Sequence, residues 1–237
     1  MKILITGGSR GIGKALVERF STPENQVAFI YRASHEAAKE LSERYGAIAI
    51  CADVSDPAEA KNAAAKALEA LGGIDVLINN AGISQIKLFS DITDEDWDKM
   101  IDTNLSSAFY LTRAILPAMI SQKSGRIINI GSMWGKTGAS CEVHYSASKA
   151  ALRGMTMALA KEVGPSGITV NAIEPGVIMT DMCAGFDEQT LASLADETPL
   201  CRLGQPSDVS ELAYFLASDK ASFITGQIIG VDGGFAI

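Results

Sequence analysis

Seven short apolar runs punctuate the chain: Lys2–Thr6, Gln26–Tyr31, Ala47–Cys51, Ile74–Asn79, Arg126–Ile130, Ile168–Ile173 and Gln227–Val231. Several are apolar at consecutive rather than alternate positions. Both of their faces must then be covered, which is the pattern of a strand inside a parallel sheet. The segments between them are rich in Ala, Leu, Glu and Lys and read as helices, among them Gly13–Phe20, Glu36–Tyr45 and Pro57–Leu71. Two longer segments, Asp94–Ile120 and Val143–Val163, each read as one helix. Strand alternating with helix implies βαβ units, and right-handed crossovers place the helices on both sides of the sheet. The expectation is an α/β fold: a doubly wound, seven-stranded parallel sheet with helices on both faces, in one domain spanning residues 1–237. The stretch 176–204 follows the sixth strand, is less regular, and contains Gly185, Pro199 and Gly204. Its place at a strand end, where ligands bind in such folds, reads as a mobile lid over a substrate.

Composition narrows the classes. A chain of 237 residues with 47% hydrophobic residues buries a sizeable core without staples. No apolar stretch is long enough to span a bilayer, and the first strand begins at Lys2 with no signal-like segment before it, so the expectation is a cytoplasmic protein with no membrane partner. A formal net charge of −8 argues against nucleic-acid binding, which phosphate neutralisation drives. Cys51, Cys141, Cys183 and Cys201 form no CxxC pair and do not cluster with His35 or His144, so no metal site is expected.

The candidate chemistry begins where the first strand runs into Thr6-Gly7-Gly8-Ser9-Arg10-Gly11-Ile12-Gly13 and then a helix. Glycine is needed where backbone turns with positive φ or where a phosphate approaches closely, and the helix start attracts a pyrophosphate. The spacing G-x-x-x-G-x-G differs from the common G-x-G-x-x-G fingerprint. It resembles the cofactor loop of the short-chain dehydrogenase/reductase family, a Rossmann-like fold, and the resemblance recurs along nearly the whole chain. Asp53-Val54 stands where that family contacts adenine. Asn79-Asn80-Ala81-Gly82 matches its NNAG motif, with Asn80, Ala81 and Gly82 beside the cofactor. Tyr145-Ser146-Ala147-Ser148-Lys149 matches its YxxxK. Pro175-Gly176, with Ile178 and Thr180, matches its loop over the nicotinamide, and Val231-Asp232-Gly233-Gly234 is also family-like.

Arg10 and Arg32, with Ser9 as a hydroxyl donor, point to a 2′-phosphate and hence NADP(H), because no acid stands at the end of the second strand to accept from a ribose hydroxyl. Tyr145 and Lys149 are four residues apart and share one helix face, so the ammonium is expected to stabilise the phenolate of a proton-donating tyrosine. By the resemblance, Ser132 positions the carbonyl oxygen and Lys149 also holds the nicotinamide ribose. Asn104, by the same resemblance, distorts its helix and holds a water that links Lys149 to solvent. The implied reaction is reduction of a ketone to a secondary alcohol.

The substrate stays open between two branches. Overall the chain is most similar to 3-oxoacyl-[acyl-carrier-protein] reductases of fatty acid synthesis, and Arg126 is one candidate contact for an acidic acyl carrier protein. Pocket positions depart from that group: Ser84 sits in Ile83-Ser84-Gln85, Trp134 follows Ser132-Met133, and Glu142 precedes Tyr145 by three, with Met182 in the lid. The Ser-Met-Trp-Gly…Gly-Ala-Ser-Cys-Glu pattern resembles a branch that reduces a 5-aminopentanone group on elongation factor P. A carboxylate beside the tyrosine would attract an amine, and an indole adds a cation–π surface. A rival class is a non-catalytic NADP(H)-binding sensor or scaffold, which typically loses the Tyr or Lys that this chain keeps. The resemblance also implies a homotetramer built through the two long helices and the last strand.

Overall fold

The computed structural model describes residues 1–183 and 185–237. All seven strands join one parallel sheet in the order β3-β2-β1-β4-β5-β6-β7. They are β1 (Lys2–Thr6), β2 (Gln26–Tyr31), β3 (Ile48–Cys51), β4 (Val76–Asn79), β5 (Gly125–Ile130), β6 (Ile168–Pro175) and β7 (Ile228–Val231). The consecutive apolar positions have the meaning expected of them. Ile3 and Ile5 of β1, Val27 and Phe29 of β2, and Val76 and Ile78 of β4 enter one buried cluster. Leu4, Ala28, Ile30 and Leu77, the alternate residues, enter a second cluster on the opposite face. Each fully buried side chain of this size stabilises the fold by about 1.5–3 kcal/mol.

Helices α1 (Gly11–Phe20) and α2 (His35–Tyr45) cover the first face together with a late helix, Pro206–Ala217. Helix α3 (Pro57–Leu71) covers the second. Its buried stripe is Ala60, Ala63, Ala64, Ala67 and Leu71, the i, i+3, i+4, i+7 pattern of one helix face. Asp56 caps it by accepting from the N–H groups of Ala58 and Glu59 at 2.8 Å, and Gly72 ends it at φ +64°.

The long helix expected over Asp94–Ile120 is not continuous. Helix α4 (Asp94–Ile101) gives way to a π-turn over Asp102–Ser106, and α5 (Ser107–Gln122) follows. The side chain of Asn104, in the middle of that turn, is fastened to the backbone of Ile83, a contact made with another part of the chain. After β5 come the one-turn α6 (Trp134–Thr137) and the long α7 (Val143–Val163). The expected lid carries its own helix, α8 (Glu188–Glu197), capped by Asp187, which accepts from the Thr190 N–H at 2.8 Å. Its two ends are tied together, because Gly204 N–H donates to the Val177 carbonyl and Met179 N–H to the Gly204 carbonyl, both at 2.9 Å. Helix α9 is the late helix Pro206–Ala217. No helix of the described residues is long and apolar enough to cross a membrane.

Beneath the carboxyl ends of β4 and β5 runs a buried amide ladder. Asn79 Nδ2 donates to Asn129 Oδ1 at 2.8 Å and to Thr112 Oγ1 at 3.1 Å, and Asn129 Nδ2 donates to Thr156 Oγ1 at 2.8 Å. It cross-links β4, β5, α5 and α7 just below the ends from which the site is built.

Candidate active site

In an open parallel sheet the crevice lies outside the carboxyl ends of the strands, at the point where the strand order reverses. Here that point lies between β1 and β4. A cleft of about 520 Å³ opens there.

The glycine loop forms its floor. Gly7 and Gly11 have φ of +67° and +51°. A Cβ on Gly13 would lie 2.0 Å from the Gly7 carbonyl oxygen and 2.7 Å from Asn80 Nδ2, so no larger residue fits. Asn80 clamps the loop: its Nδ2 donates to the Thr6 carbonyl at 2.9 Å, while Thr6 Oγ1 accepts from the N–H groups of Asn80 and Ala81 at 2.9 Å. Thr6 was not singled out in the sequence, yet its hydroxyl joins β1 to the segment after β4. Helix α1 begins with no side-chain cap and no acid in its first turn. Its first N–H groups are therefore available to an anion.

At the far end of the cleft Arg32 does not stand alone. Its Nη1 donates to Asp53 Oδ2 at 3.2 Å. Burial alone would raise the Asp53 carboxyl, but hydrogen bonds from Ser55 and Arg32 together hold it below the ordinary range. Arg10 lies 3.8 Å from Asp181, and both side chains are largely exposed. Ser9, Ile12 and Val54 also line the cleft, and Thr180 lies close over Gly11.

The inner end holds the reactive groups. Tyr145 and Lys149 lie on one face of α7, and Ser132 follows β5. Ser132 Oγ accepts from the Trp134 N–H at 3.2 Å. Lys149 Nζ donates to the Ile130 carbonyl at 2.9 Å and sits 5.8 Å from the Tyr145 ring centre. Burial pushes Tyr145 up to about 12; the Ser132 hydroxyl partly offsets this and the charge of Glu142 adds to it. Burial pushes Lys149 down to about 8. Removal from water is thus the largest influence on Tyr145, and it opposes the phenolate that the neighbouring ammonium is expected to stabilise.

The other expected residues line the cleft, with Asn104 and Arg126 as the two exceptions. Ser84, Trp134, Glu142 and Met182 line its wall, and Pro175, Gly176 and Ile178 its roof. Asn104 stands behind the wall: its Oδ1 accepts from Ile83 N–H at 2.8 Å, while its Nδ2 donates to the Ile83 carbonyl at 2.9 Å and to Ser148 Oγ at 3.1 Å. Ser148 Oγ donates in turn to the Tyr145 carbonyl at 2.7 Å, so Asn104 braces both the loop after Gly82 and the helix turn of the tyrosine. Arg126 is at the wrong end. It stands at the start of β5, bonded to Asp219, whereas every group above follows a strand's carboxyl end.

A second network was missed. His144, buried beside Tyr145, shares a 2.9 Å hydrogen bond between its Nε2 and Gln85 Oε1. Gln85 Nε2 donates to Asp96 Oδ1 at 2.9 Å, and Lys87 Nζ to Asp96 Oδ2 at 2.5 Å. His144 stands 59 residues from Gln85, so no local spacing marks the network.

The family model that matches residues 7–236 carries the description Enoyl-(Acyl carrier protein) reductase. Two curated relatives, the 3-oxoacyl-[acyl-carrier-protein] reductases FabG of Staphylococcus aureus strain Mu50 and Escherichia coli strain K12, are each 39% identical. They match over 98% of this chain and over 96% and 95% of their own lengths. A crystal structure of a provisionally assigned short-chain alcohol dehydrogenase from Sinorhizobium meliloti 1021 superposes with a TM-score of 0.93 at 38% identity, covering 98% of this chain and 95% of that one.

Proposed function

Because this chain belongs to the short-chain dehydrogenase/reductase family and is an oxidoreductase of the CH–OH/C=O couple, we propose that it reduces a ketone with NADPH, a 3-oxoacyl thioester first among its substrates. The observation that carries this reading is the meeting of Ser132, Tyr145 and Lys149 at the inner end of the glycine-loop cleft. The cradle fits a dinucleotide: two positive-φ glycines, a helix start free of acid, and two guanidinium groups at the outer end. A bound nicotinamide supplies the hydride.

The chain's own residues manage the oxygen and its proton. Tyr145 is fully protonated at neutral pH and has a proton to donate to the carbonyl oxygen. Ser132 Oγ accepts from the Trp134 N–H and keeps its own proton to donate to the same oxygen. Lys149, still largely an ammonium at neutral pH, favours the phenolate that Tyr145 leaves behind. Asn104 holds Ile83 and the tyrosine's helix turn in register. Pro175, Gly176, Ile178 and Thr180 close the roof over the nicotinamide end. Arg10 and Arg32 meet the 2′-phosphate.

A second substrate reading rests on Glu142. Its carboxyl is half-buried on the cleft wall, burial raises it, and among the described residues no cation pairs with it. A carboxylate in that position suits a substrate amine, such as an amino ketone carried on elongation factor P. The test is NADPH oxidation followed by absorbance with acetoacetyl-CoA and a free aminopentanone side by side. Faster thioester turnover supports the carrier-protein reading, and faster amino ketone turnover that is weakened by Glu142→Gln supports the second. Tyr145→Phe should lower either rate by about 10²–10⁴-fold. Full turnover by that variant, or NADPH binding with no ketone reduced, would sink the proposal in favour of a sensor. We also propose a homotetramer, supported by the exposed Trp97, Phe109 and Met157 on α4, α5 and α7. A monomer by light scattering would refute it.

A further inference from the structure

Helix α6 is held from two sides. On one side Gly135 seats it on α7 at the lysine: a Cβ there would lie 2.9 Å from the Lys149 carbonyl carbon and 3.0 Å from its oxygen. On the other side it meets the segment that follows β7. The rings of Trp134 and Phe235 pack edge to face, with centres 5.8 Å apart and planes at 86°. Lys136 Nζ donates to the Ala236 carbonyl. Asp232 stiffens that segment, accepting from the Gly234 N–H at 3.0 Å and the Ala236 N–H at 3.2 Å. Asp232 also lies against the roof, where a Cβ on Gly176 would come within 2.8 Å of its Cα. The segment therefore touches both the roof loop and the helix that carries Trp134, while Phe235 itself does not line the cleft.

We propose that Phe235 is a specificity-determining positioning residue: it fixes the tilt of the Trp134 indole and so the width of the ketone pocket. This deepens the ketone reductase reading and rests on it. Trp134 has two jobs that depend on where α6 sits. Its ring bounds the substrate side of the cleft, and its backbone N–H donates to the Ser132 hydroxyl. Removing the edge-to-face partner frees the ring without touching any group that meets the substrate. An aromatic pair of this geometry is worth roughly a two- to twelvefold change in an equilibrium.

The test is a double-mutant cycle with acetoacetyl-CoA and a longer 3-oxoacyl-CoA. Phe235→Ala is expected to raise KM for the thioesters by roughly two- to twelvefold, unequally for the two chain lengths, with KM for NADPH unchanged. In a Trp134→Ala background the same substitution should add less than about twofold. An equal cost in both backgrounds, or an unchanged KM, would overturn the proposal. Should Phe235→Ala fail to fold, Phe235→Leu takes its place in the cycle. A second readout is independent of turnover. The chain has 2 tryptophans, so Trp97→Phe leaves Trp134 as the sole emitter. Loss of Phe235 should then shift its emission to the red and lower its anisotropy. If the parent enzyme reduces no ketone, the function reading fails, and the emission alone decides whether Phe235 sets the indole.

Discussion

Replacing Arg32 with alanine separates the cofactor argument from a general loss of binding. The guanidinium is 53% exposed and spends one donor on Asp53 at 3.2 Å, which leaves the rest of its fork for a phosphate. A hydrogen bond to a charged group contributes about 1.5–3 kcal/mol. Half-exposure and the Asp53 carboxylate discount that to about 1–2 kcal/mol, a loss of roughly five- to thirtyfold in kcat/KM for NADPH. NADH behaves differently, because the substitution removes no contact it needs and releases Asp53. A free carboxylate near the end of β2 can accept from a ribose hydroxyl. The expected result is therefore a fall in the NADPH-to-NADH ratio of kcat/KM by at least about fivefold, with NADH unchanged or improved. The assay is initial rates with both cofactors at one saturating ketone concentration. Equal losses for the two cofactors would refute the reasoning, since Arg32 would then serve the fold or the adenine rather than the phosphate.

Three other outcomes follow from the geometry. Gly13→Ala puts a methyl group 2.0 Å from the Gly7 carbonyl oxygen, and overpacking of the loop should weaken NADPH binding by roughly ten- to hundredfold in a fluorescence titration; unchanged affinity would contradict the clash. Lys149 is held down at about 8, so its ammonium is present below that pH and lost above it. Reduction should accordingly fall as pH rises through about 8, whereas a plateau extending toward the Tyr145 value of about 12 would show that the ammonium is not needed. Asn129→Ala removes two of the three hydrogen bonds of the ladder under the site, at a cost of about 1–3 kcal/mol and hence a melting temperature lower by about 2–12 °C; an unmoved melting curve would show that those two bonds are dispensable.

The sequence made legible whatever is written in local order. Consecutive apolar positions in β1 announced a sheet covered on both faces, and the spacing from Gly7 to Gly13 announced a phosphate turn, because both depend on neighbours in the chain. What it left hidden depends on contacts across the fold. The helix predicted over Asp94–Ile120 has the right composition throughout; the family resemblance puts a distortion at Asn104, but the hydrogen bonds between Asn104 and Ile83 that accompany the π-turn are encoded in no propensity. Arg32 read as a free cation because Asp53 comes to it only when β2 and β3 pair. Arg126 reads from the sequence as a residue at a strand start, but only the fold shows that it lies away from the cleft and bonds to Asp219. Tyr145 shows the same limit in energy rather than in place. Spacing puts Lys149 on its face, but only the folded cleft determines how much water the phenol loses.

Charge is sorted along the cleft, and the sorting bears on the substrate. Arg10 and Arg32 lie at the outer end, and Lys149 and Glu142 lie with Tyr145 at the inner end. An anionic ligand is thus drawn to the outer end, and Glu142 favours a neutral or cationic group at the inner one. Glu142 also acts on the reaction itself, since its negative charge helps keep Tyr145 protonated. A neutral thioester leaves that influence in place. A substrate ammonium seated on Glu142 would cancel it, bringing Tyr145 down and making it a stronger acid only while the amine is bound. The two substrate readings therefore differ in more than affinity. Under the amine reading Glu142→Gln should change the pH dependence of amino ketone reduction as well as its KM, because the substitution removes the charge that the ammonium answers. Under the thioester reading the same substitution should lower the Tyr145 barrier slightly for every ketone alike.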